Sequence, residues 1–542
     1  MNPHDLPNNY YAAKSALKRI EKSLSKDKEL AKSYQEQMTD LVQRGEARKI
    51  GQEEEWEGPE FYINHLAVVN PKSNSTPFRI VFNSSQPFHG VSLNSCLAKG
   101  PDSYQNTSLG ILLRWREEAV SIVGDIKKMF HSVELKPLEQ QCHRFLWRDL
   151  DSEREPDIYA MVKVNMGDRP APAIATEALY KTAEKYQQSK PRAASFIKNS
   201  SYVDDLIDSV PTQSIAKDLQ KDTEEILTSG GFKIKCWQLS GKEREQSLKG
   251  DKENISVLGV MWNPIEDTMT YEINLNFSKK KRGQRTGPNL TREEVPSCIP
   301  EILTKRIVLQ QVMGIYDPMG LVSPFTIIAK MYLRETWQMK LDWDDALPTP
   351  LHQKWTQFFQ QIFLLENLQF TRCLKPENSV GNPWLIILSD GSDQAYGCAA
   401  YVRWNCDDGS VKMQLIMAKA RIAPMEKVTT PRMELNGAVI SKRCRAAIMK
   451  EMRYEFERVF QLVDSDTVLN QIHKTSSRFQ VYEGVRIGEI QAATNGDMSE
   501  WGWIPGSENT ADWLTRGRTP DQLHINSEWF QGPPMLHKPF EQ

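Results

Sequence analysis

The chain has 542 residues, 39% of them hydrophobic and 25% charged, with a formal net charge of -2. That length carries several domains with full cores, and the near-neutral balance excludes a uniformly basic nucleic-acid coat while leaving room for local basic grooves offset by acidic sites. No apolar run reaches the length of a membrane span, residues 1–10 lack the apolar core of a secretion signal, and the eight cysteines form no C-x-x-C pair, which argues against zinc and fits a reducing compartment.

In chain order, residues 12–49 are rich in Lys, Glu, Gln, Leu and Ala and predict helix, broken up by Gly45 and Gly51. Residues 61–69 and 78–82 predict strands. Residues 111–119 predict a helix, and 120–124 a short apolar strand entering Asp125. A helix is predicted over 173–187 after the proline-rich stretch 169–172. An amphipathic one is predicted over 213–228, ended by Gly230-Gly231. Residues 257–262 predict a strand closing before Pro264. Residues 279–300 are charged and punctuated by Gly and Pro, as in a linker. The basic run Lys279-Lys280-Lys281-Arg282 with Arg285 reads as a solvated loop at least as well as a phosphate contact. Residues 303–365 are mostly helical, and 376–383 form a second break. Residues 384–389 make a buried strand, after which strands and helices alternate to about Gly517. The tail from Arg518 has proline pairs and little periodicity.

Two groups of acids stand out. In Tyr202-Val203-Asp204-Asp205 a strand-prone pair precedes a turn-prone pair, which predicts a hairpin with two carboxylates at its tip. Adjacent carboxylates raise each other's pKa unless a cation lies between them. Asp125 ends a strand 79 residues before Asp204, far enough to return alongside it. Three such carboxylates can hold two magnesium ions, which activate a primer 3′ oxygen and stabilise a leaving pyrophosphate. The second group begins with the apolar strand 384–392, which contains Asp390, and its plausible antiparallel partner 396–402. Residues 431–435 open a helix carrying Glu434 on its inner face, 459–463 form a strand ending at Asp464, and 509–514 start a last helix with Asp512 in its first turn. Four acids on two strand ends and two helices can converge at one sheet edge, where two metals would activate water against a phosphodiester. Asp466 rivals Asp464, since both flank Ser465.

The order of these motifs resembles that of reverse transcriptases: Asp125-x-x-x-x-Phe130, Gly167 with Pro170 and Pro172, the tetrad 202–205, Gly230-Gly231-Phe232, and Leu258-Gly259. The segments 77–83, 91–94, 125–130 and 144–148 resemble the BEL/Pao class of LTR retrotransposons. The acids from Asp390 onward resemble a ribonuclease H, with 419–424 leading into 431–435, and 503–506 leading to Ala511-Asp512, again BEL/Pao-like. The resemblance implies a multidomain α/β and α+β fold: a right-hand polymerase of fingers, palm and thumb, followed by a ribonuclease H-like three-layer domain. It divides the chain into an N-terminal helical extension (1–60), fingers and palm (61–264), thumb and connection (265–383), a ribonuclease H-like domain (384–518) and a tail (519–542).

The implied roles are individual. Asp125, Asp204 and Asp205 bind metal for polymerisation, and Asp390, Glu434, Asp464 and Asp512 bind it for hydrolysis, with Mg2+ as cofactor, two per site, and Mn2+ as a substitute. Arg79 and Lys72 hold the incoming triphosphate. Phe130 is a steric gate that clashes with a 2′-hydroxyl and so favours deoxynucleotides. Gly167 lets backbone approach the base pair, Tyr202 contacts substrate, and residues 258–262 form the primer-gripping hairpin. Lys233 or Lys235 is a candidate proton donor to pyrophosphate. Met166 stands where retroviral relatives commonly have a polar residue, and the loop 503–508 lacks the histidine found in many ribonucleases H. The implied partners are an RNA template, a DNA primer strand, an RNA–DNA hybrid and deoxynucleoside triphosphates, without a membrane. The implied location is a cytoplasmic virus-like particle or the nucleus, and the chain reads as a processed or truncated part of a longer polyprotein.

Two other readings compete. One is an inactive or host-adopted relic that only binds nucleic acid; the full set of metal acids argues against decay. The other is an aspartic peptidase, a label given in BEL/Pao relatives to the region around Asp317-Pro318-Met319-Gly320. That chemistry needs Asp-Ser/Thr-Gly so that paired carboxylates share a proton, and the chain has no such triplet.

Overall fold

The computed structural model describes residues 6–51, 53–54, 56–69, 78–101, 106–241, 254–278, 280–281, 284–285, 287–312, 314–492 and 498–539. The helix predicted over 12–49 is two helices, Tyr10–Leu24 and Lys28–Gln43, followed by a strand, Ala47–Lys49. The break falls at Asp27 because its side chain accepts from the Leu30 amide at 3.0 Å and caps the second helix. The strand pairs with Asp157–Met161, which pairs in turn with Arg144–Trp147. Tyr34 stacks on Trp147, and Leu17, Tyr34 and Met38 share one buried cluster with Phe61 and Phe145. The predicted extension is therefore part of the first core.

Helix α1 (Ser108–Trp115) leads into a four-stranded sheet. Its strands are β1 (Val120–Ile126), β2 (Ser201–Tyr202), β3 (Asp205–Val210) and β4 (Ile234–Leu239), in the order β2-β3-β1-β4 with antiparallel neighbours. β1 is flanked on both edges, which is why its sequence is apolar up to the acid. Helices Ala171–Glu184 and Gln213–Ser229 appear as predicted, with Pro191–Asn199 between them unforeseen; Pro191 opens it at its first position. The strand predicted over 257–262 is two strands, Ile255–Val257 and Val260–Asn263, joined by a turn at Leu258 and Gly259, both with positive φ. Within the region predicted as a linker, residues 280–281 and 284–285 pair as a short ladder, while Lys279 and Arg282 lie outside the described residues.

The carboxy-terminal sheet comprises β5 (Ser379–Gly391), β6 (Ala395–Cys406), β7 (Val411–Ile422), β8 (Arg458–Val463) and β9 (Trp501–Trp503), ordered β7-β6-β5-β8-β9. β5 is antiparallel to β6 and parallel to β8, and β8 is parallel to β9. Helix α2 (Thr430–Glu451) packs across β5 and β6 and touches α3 (Val481–Ala492), while the short α4 (Asp512–Arg516) closes on β5 and β6. β5 starts inside the predicted break at 376–383, since a register irregularity between Val380 and Trp384 carries Pro383 past the ladder. The tail is docked rather than loose. Trp529 is fully buried and donates through Nε1 to the Leu321 carbonyl at 2.7 Å, and Tyr401 Oη donates to the Trp529 carbonyl at 2.9 Å. In the helical stretch 303–365, Trp355 is core, while Trp337 and Trp343 remain half-exposed.

The two sheets meet at the segment between α1 and β1. Buried Arg372 is ion-paired to Asp267 and donates to the carbonyls of Trp115, Glu118 and Ala119. Arg116 donates to the Ile416 carbonyl on β7 at 2.8 Å. At the end of α2, Glu451 pairs with Arg114 at 2.7 Å. Arg453 spans Glu117 and Asp208, each at 2.6 Å. Both carboxylates are buried, and Asp208 lies on β3. Arg453→Met is expected to cost about 2 kcal/mol, below the ~3–5 kcal/mol for breaking a fully buried pair because half of the Arg453 side chain meets water. Denaturant midpoints check this, and adding Glu117→Gln with Asp208→Asn should recover most of the loss.

Candidate active sites

The first site is made by strand register. Asp125 on β1 faces Asp205, the first residue of β3, and Asp205 also pairs with Tyr202 across the hairpin. Asp204 thus sits in the turn itself, beside Val203, whose φ of 54° is strained for a β-branched residue. The Asp204 carbonyl accepts from the Ile126 amide at 2.7 Å, which ties the turn to the strand carrying Asp125. Burial and the charges of Asp204 and Asp125 push the Asp205 carboxyl up to about 7. Burial, with Asp125 adding, also raises Asp204, against the positive charges of Lys235 and Arg79. Lys235 Nζ lies 3.2 Å from Asp125 Oδ2, so it acts as the acids' counter-ion.

Around these acids, Phe130 lies in the 3-10 turn Met129–Ser132 directly after β1 and is 8% exposed, packed in the first core. Arg79 is exposed on the strand Phe78–Asn83, close enough for its charge to act on Asp204. Met166 is 61% exposed. At Gly167 a Cβ would come 2.4 Å from the Phe82 carbonyl oxygen, so packing against that strand already requires glycine there. The loop is held by Asn94, which donates to the Gly167 carbonyl at 2.9 Å and accepts from the Arg169 amide at 2.7 Å. Lys72 lies outside the described residues.

The second site gathers its four acids from β5, α2, the end of β8, and α4. Two glycines allow this. A Cβ on Gly391 would lie 2.4 Å from the Glu434 amide nitrogen, and one on Gly437 would lie 2.5 Å from the Asp390 carbonyl oxygen. The strand end and the helix therefore touch backbone to backbone, with Asp390 and Glu434 at the contact. Burial raises Asp390, with Asp464 and Asp512 adding to it and the Thr515 hydroxyl bond opposing. Burial likewise raises Glu434, against a bond from Ser465 and with the charges of Asp464 and Asp390 adding. It raises Asp464 too, against Asn509 and with Asp512 adding. Arg516 pairs with Asp512 at 2.5 Å.

Asp390, Glu434 and Asp464 thus each feel at least one other acid of the site, whereas Asp466 is exposed in the first turn of the next helix, Asp466–Ile472. Thr515, Asn509 and Ser465 were not foreseen as site residues. Thr515 was legible only as the residue one helical turn beyond Asp512. Trp503 stands beside the acids, 48% exposed, its Nε1 bonded to the Asp464 carbonyl at 3.1 Å.

Asp317 has a structural task. Its carboxylate accepts from Tyr271 Oη at 2.8 Å and from the amides of Leu321 and Val322 at 2.9 and 3.0 Å, just before the helix Ser323–Gln338. No second acid shares a proton with it in these bonds.

Among the described residues no three His, Cys, Asp or Glu side chains close into a metal-holding group. Magnesium seldom needs such a cage. It takes one or two hard carboxylates and completes its shell with water and phosphate oxygens. Both sites offer such oxygens, and in both burial, with the charges of neighbouring acids adding to it, raises carboxyl pKa values in a way that a divalent cation would reverse. The donor sets therefore fit that metal.

A mixed α/β multidomain fold of the viral reverse-transcriptase kind is what the comparisons define. The foamy viral protease-reverse transcriptase in complex with RNA/DNA hybrid matches with a TM-score of 0.52 at 14% identity, covering 90% of this chain and 54% of that one. The foamy viral protease-reverse transcriptase dRH in complex with ds DNA matches with a TM-score of 0.50 at 13% identity, covering 86% and 68%. The chain spans about half the length of the first of these. No curated protein sequence matches it. Residues 304–465 match the family model of the Pao retrotransposon-like RNaseH-like domain. The resemblance to the BEL/Pao retroelements is thereby borne out. The matched segment runs across residue 384, where the sequence suggested a domain start, and includes Asp390, Glu434 and Asp464.

Proposed function

We propose that the chain is an RNA-directed DNA polymerase with ribonuclease H activity, copying retroelement RNA into DNA and degrading the RNA of the hybrid. The observation that carries this reading is the register of β1 and β3, which sets Asp125 opposite Asp205 with Asp204 in the adjoining turn. In this reading residues 61–264 act as fingers and palm and 265–383 as thumb and connection.

Asp125, Asp204 and Asp205 would hold Mg2+ at the first site, and Asp390, Glu434, Asp464 and Asp512 at the second. The metal would supply activation of a primer oxygen or of water and neutralise charge on the scissile phosphate. The chain's own residues do the positioning. Arg79 attracts the triphosphate toward the acids, and Phe130, fixed by the core directly after β1, holds the sugar edge and disfavours a 2′-hydroxyl. Thr515, Ser465 and Asn509 orient Asp390, Glu434 and Asp464. Template, primer and hybrid bind chiefly through phosphates, so binding weakens steeply with salt. The virus-like particle of the element is the proposed setting.

The test is incorporation of labelled deoxynucleotides by the full chain on a primed RNA template with magnesium, alongside cleavage of a uniform hybrid. Both activities are expected, with ribonucleotides incorporated poorly. A chain that binds the template but incorporates nothing would point to the relic.

A further inference from the structure

The two residues that bracket Phe130 are tied to a single carboxylate supplied by the amino-terminal segment. Lys128 heads the turn Met129–Ser132 and His131 lies within it, and in a 3-10 turn residues three apart share one face. Lys128 Nζ donates to Glu46 Oε1 at 3.2 Å, and His131 Nδ1 donates to Glu46 Oε2 at 2.8 Å. Arg44 Nε adds a bond to Oε1 at 2.9 Å. Burial by itself would raise the Glu46 carboxyl, but the bonds from His131 and Arg44 and the charges of His131 and Lys128 hold it down at about 2, so it stays ionised.

Glu46 is a fixed anchor. Its side chain is buried, and its amide donates to the Leu41 carbonyl at 3.0 Å, where the helix Lys28–Gln43 ends on Gly45 with positive φ. Its own carbonyl accepts from the Val162 amide at 2.9 Å. Lys128 has a φ of 50°, a conformation that a lysine holds where its surroundings impose it. Phe130, between the two anchored residues, lies in the first core, and the helix Ala171–Glu184 packs on the turn. The turn is therefore clamped twice, by charge at Lys128 and His131 and by apolar packing at Phe130.

We infer that Glu46 is the positioning residue of Phe130, setting how far the ring stands from the nucleotide sugar and hence how strongly a 2′-hydroxyl is refused. This rests on the polymerase reading above. Preference for deoxynucleotides is a ratio of two kcat/KM values, and Glu46 acts on that ratio through the ring rather than by touching substrate.

The experiment measures single-nucleotide incorporation by the full chain on a primed RNA template with magnesium. Each deoxynucleotide is compared with the matching ribonucleotide in wild type, Glu46→Gln, Phe130→Ala and the double variant. Glu46→Gln keeps the size of the side chain and removes its charge. It is expected to lower the deoxynucleotide-to-ribonucleotide ratio of kcat/KM about tenfold, mostly by raising ribonucleotide incorporation. In the Phe130→Ala background the same change should leave the ratio where it is, since no ring remains to be placed. His131→Gln, which leaves Glu46 bonded to Arg44 and Lys128, should lower the ratio by a smaller factor, and it carries the test if Glu46→Gln does not fold. Hybrid cleavage is the folding control and should stay at the wild-type level. An unchanged ratio in Glu46→Gln and His131→Gln overturns the inference even if both nucleotides are used more slowly, because that pattern marks a structural strut. A fall in the ratio that persists in full without the Phe130 ring overturns it as well. Failure of the underlying reading shows in the wild type alone, as equal use of both nucleotides or no incorporation.

Discussion

Asp205→Asn is expected to lose deoxynucleotide incorporation by at least ~100-fold, the scale of removing one preorganised electrostatic group from a reacting phosphate, while the protein becomes harder to melt. The first effect follows from register, since Asp205 is the residue that faces Asp125. The second follows from its carboxyl lying at about 7 rather than near its ordinary 3.8. A carboxyl that holds its proton more tightly in the folded chain than in the unfolded one favours the folded state at low pH. That advantage is lost as pH rises from about 4 to about 7. Asparagine has no charge to lose. In chelator, the variant should therefore melt above the wild type at pH 8, with the difference shrinking toward pH 4. Magnesium should raise the wild-type midpoint at pH 8 more than that of the variant. Hybrid cleavage should persist, because the second acid cluster does not contain Asp205. Equal melting of the two proteins at pH 8 in chelator would contradict the electrostatic account, whatever the activity.

Gly437→Ala is expected to reduce hybrid cleavage by ~100-fold and leave incorporation nearly intact. In an open helix this change would stabilise by about 1 kcal/mol. Here the added carbon would lie 2.5 Å from the Asp390 carbonyl oxygen and 3.0 Å from its carbon, both backbone atoms that cannot swing aside. The helix must move away from the strand end, separating Glu434 from Asp390, and a misplacement of ~1 Å is enough for a loss of that size. Cleavage and incorporation rates on the same preparation measure it; unchanged cleavage would mean that the contact of α2 with β5 does not set the site.

Much of this was legible because the candidate site groups are ionisable and end regular elements. The strand into Asp125, the tetrad at a hairpin, and Asp390 at the end of an apolar run can all be read from local pattern. What the pattern hides is contact between distant segments. Nothing near Gly437 announces that Asp390 will rest against it, and nothing near Thr515 that its hydroxyl will meet an acid from another strand. The split of 12–49 into two helices turned on a single cap at Asp27. Trp529 lay in a stretch without periodicity, so its burial under the Leu321 carbonyl was invisible. The stretch 258–259 was read as strand because a leucine with positive φ is not what local propensity favours.

Helix α2 has one further consequence. Glu434 sits near its beginning, and Glu451 and Arg453 at its end grip Arg114, Glu117 and Asp208, the last on the same strand as Asp205. From Glu434 to Glu451 the helix runs ~25 Å without a joint. It is a measuring rod fixed at both ends: on the function proposed above, a strand engaged at both acid sites would be cut a set number of nucleotides behind the point where it is copied, and lengthening the rod by one turn would move the cut.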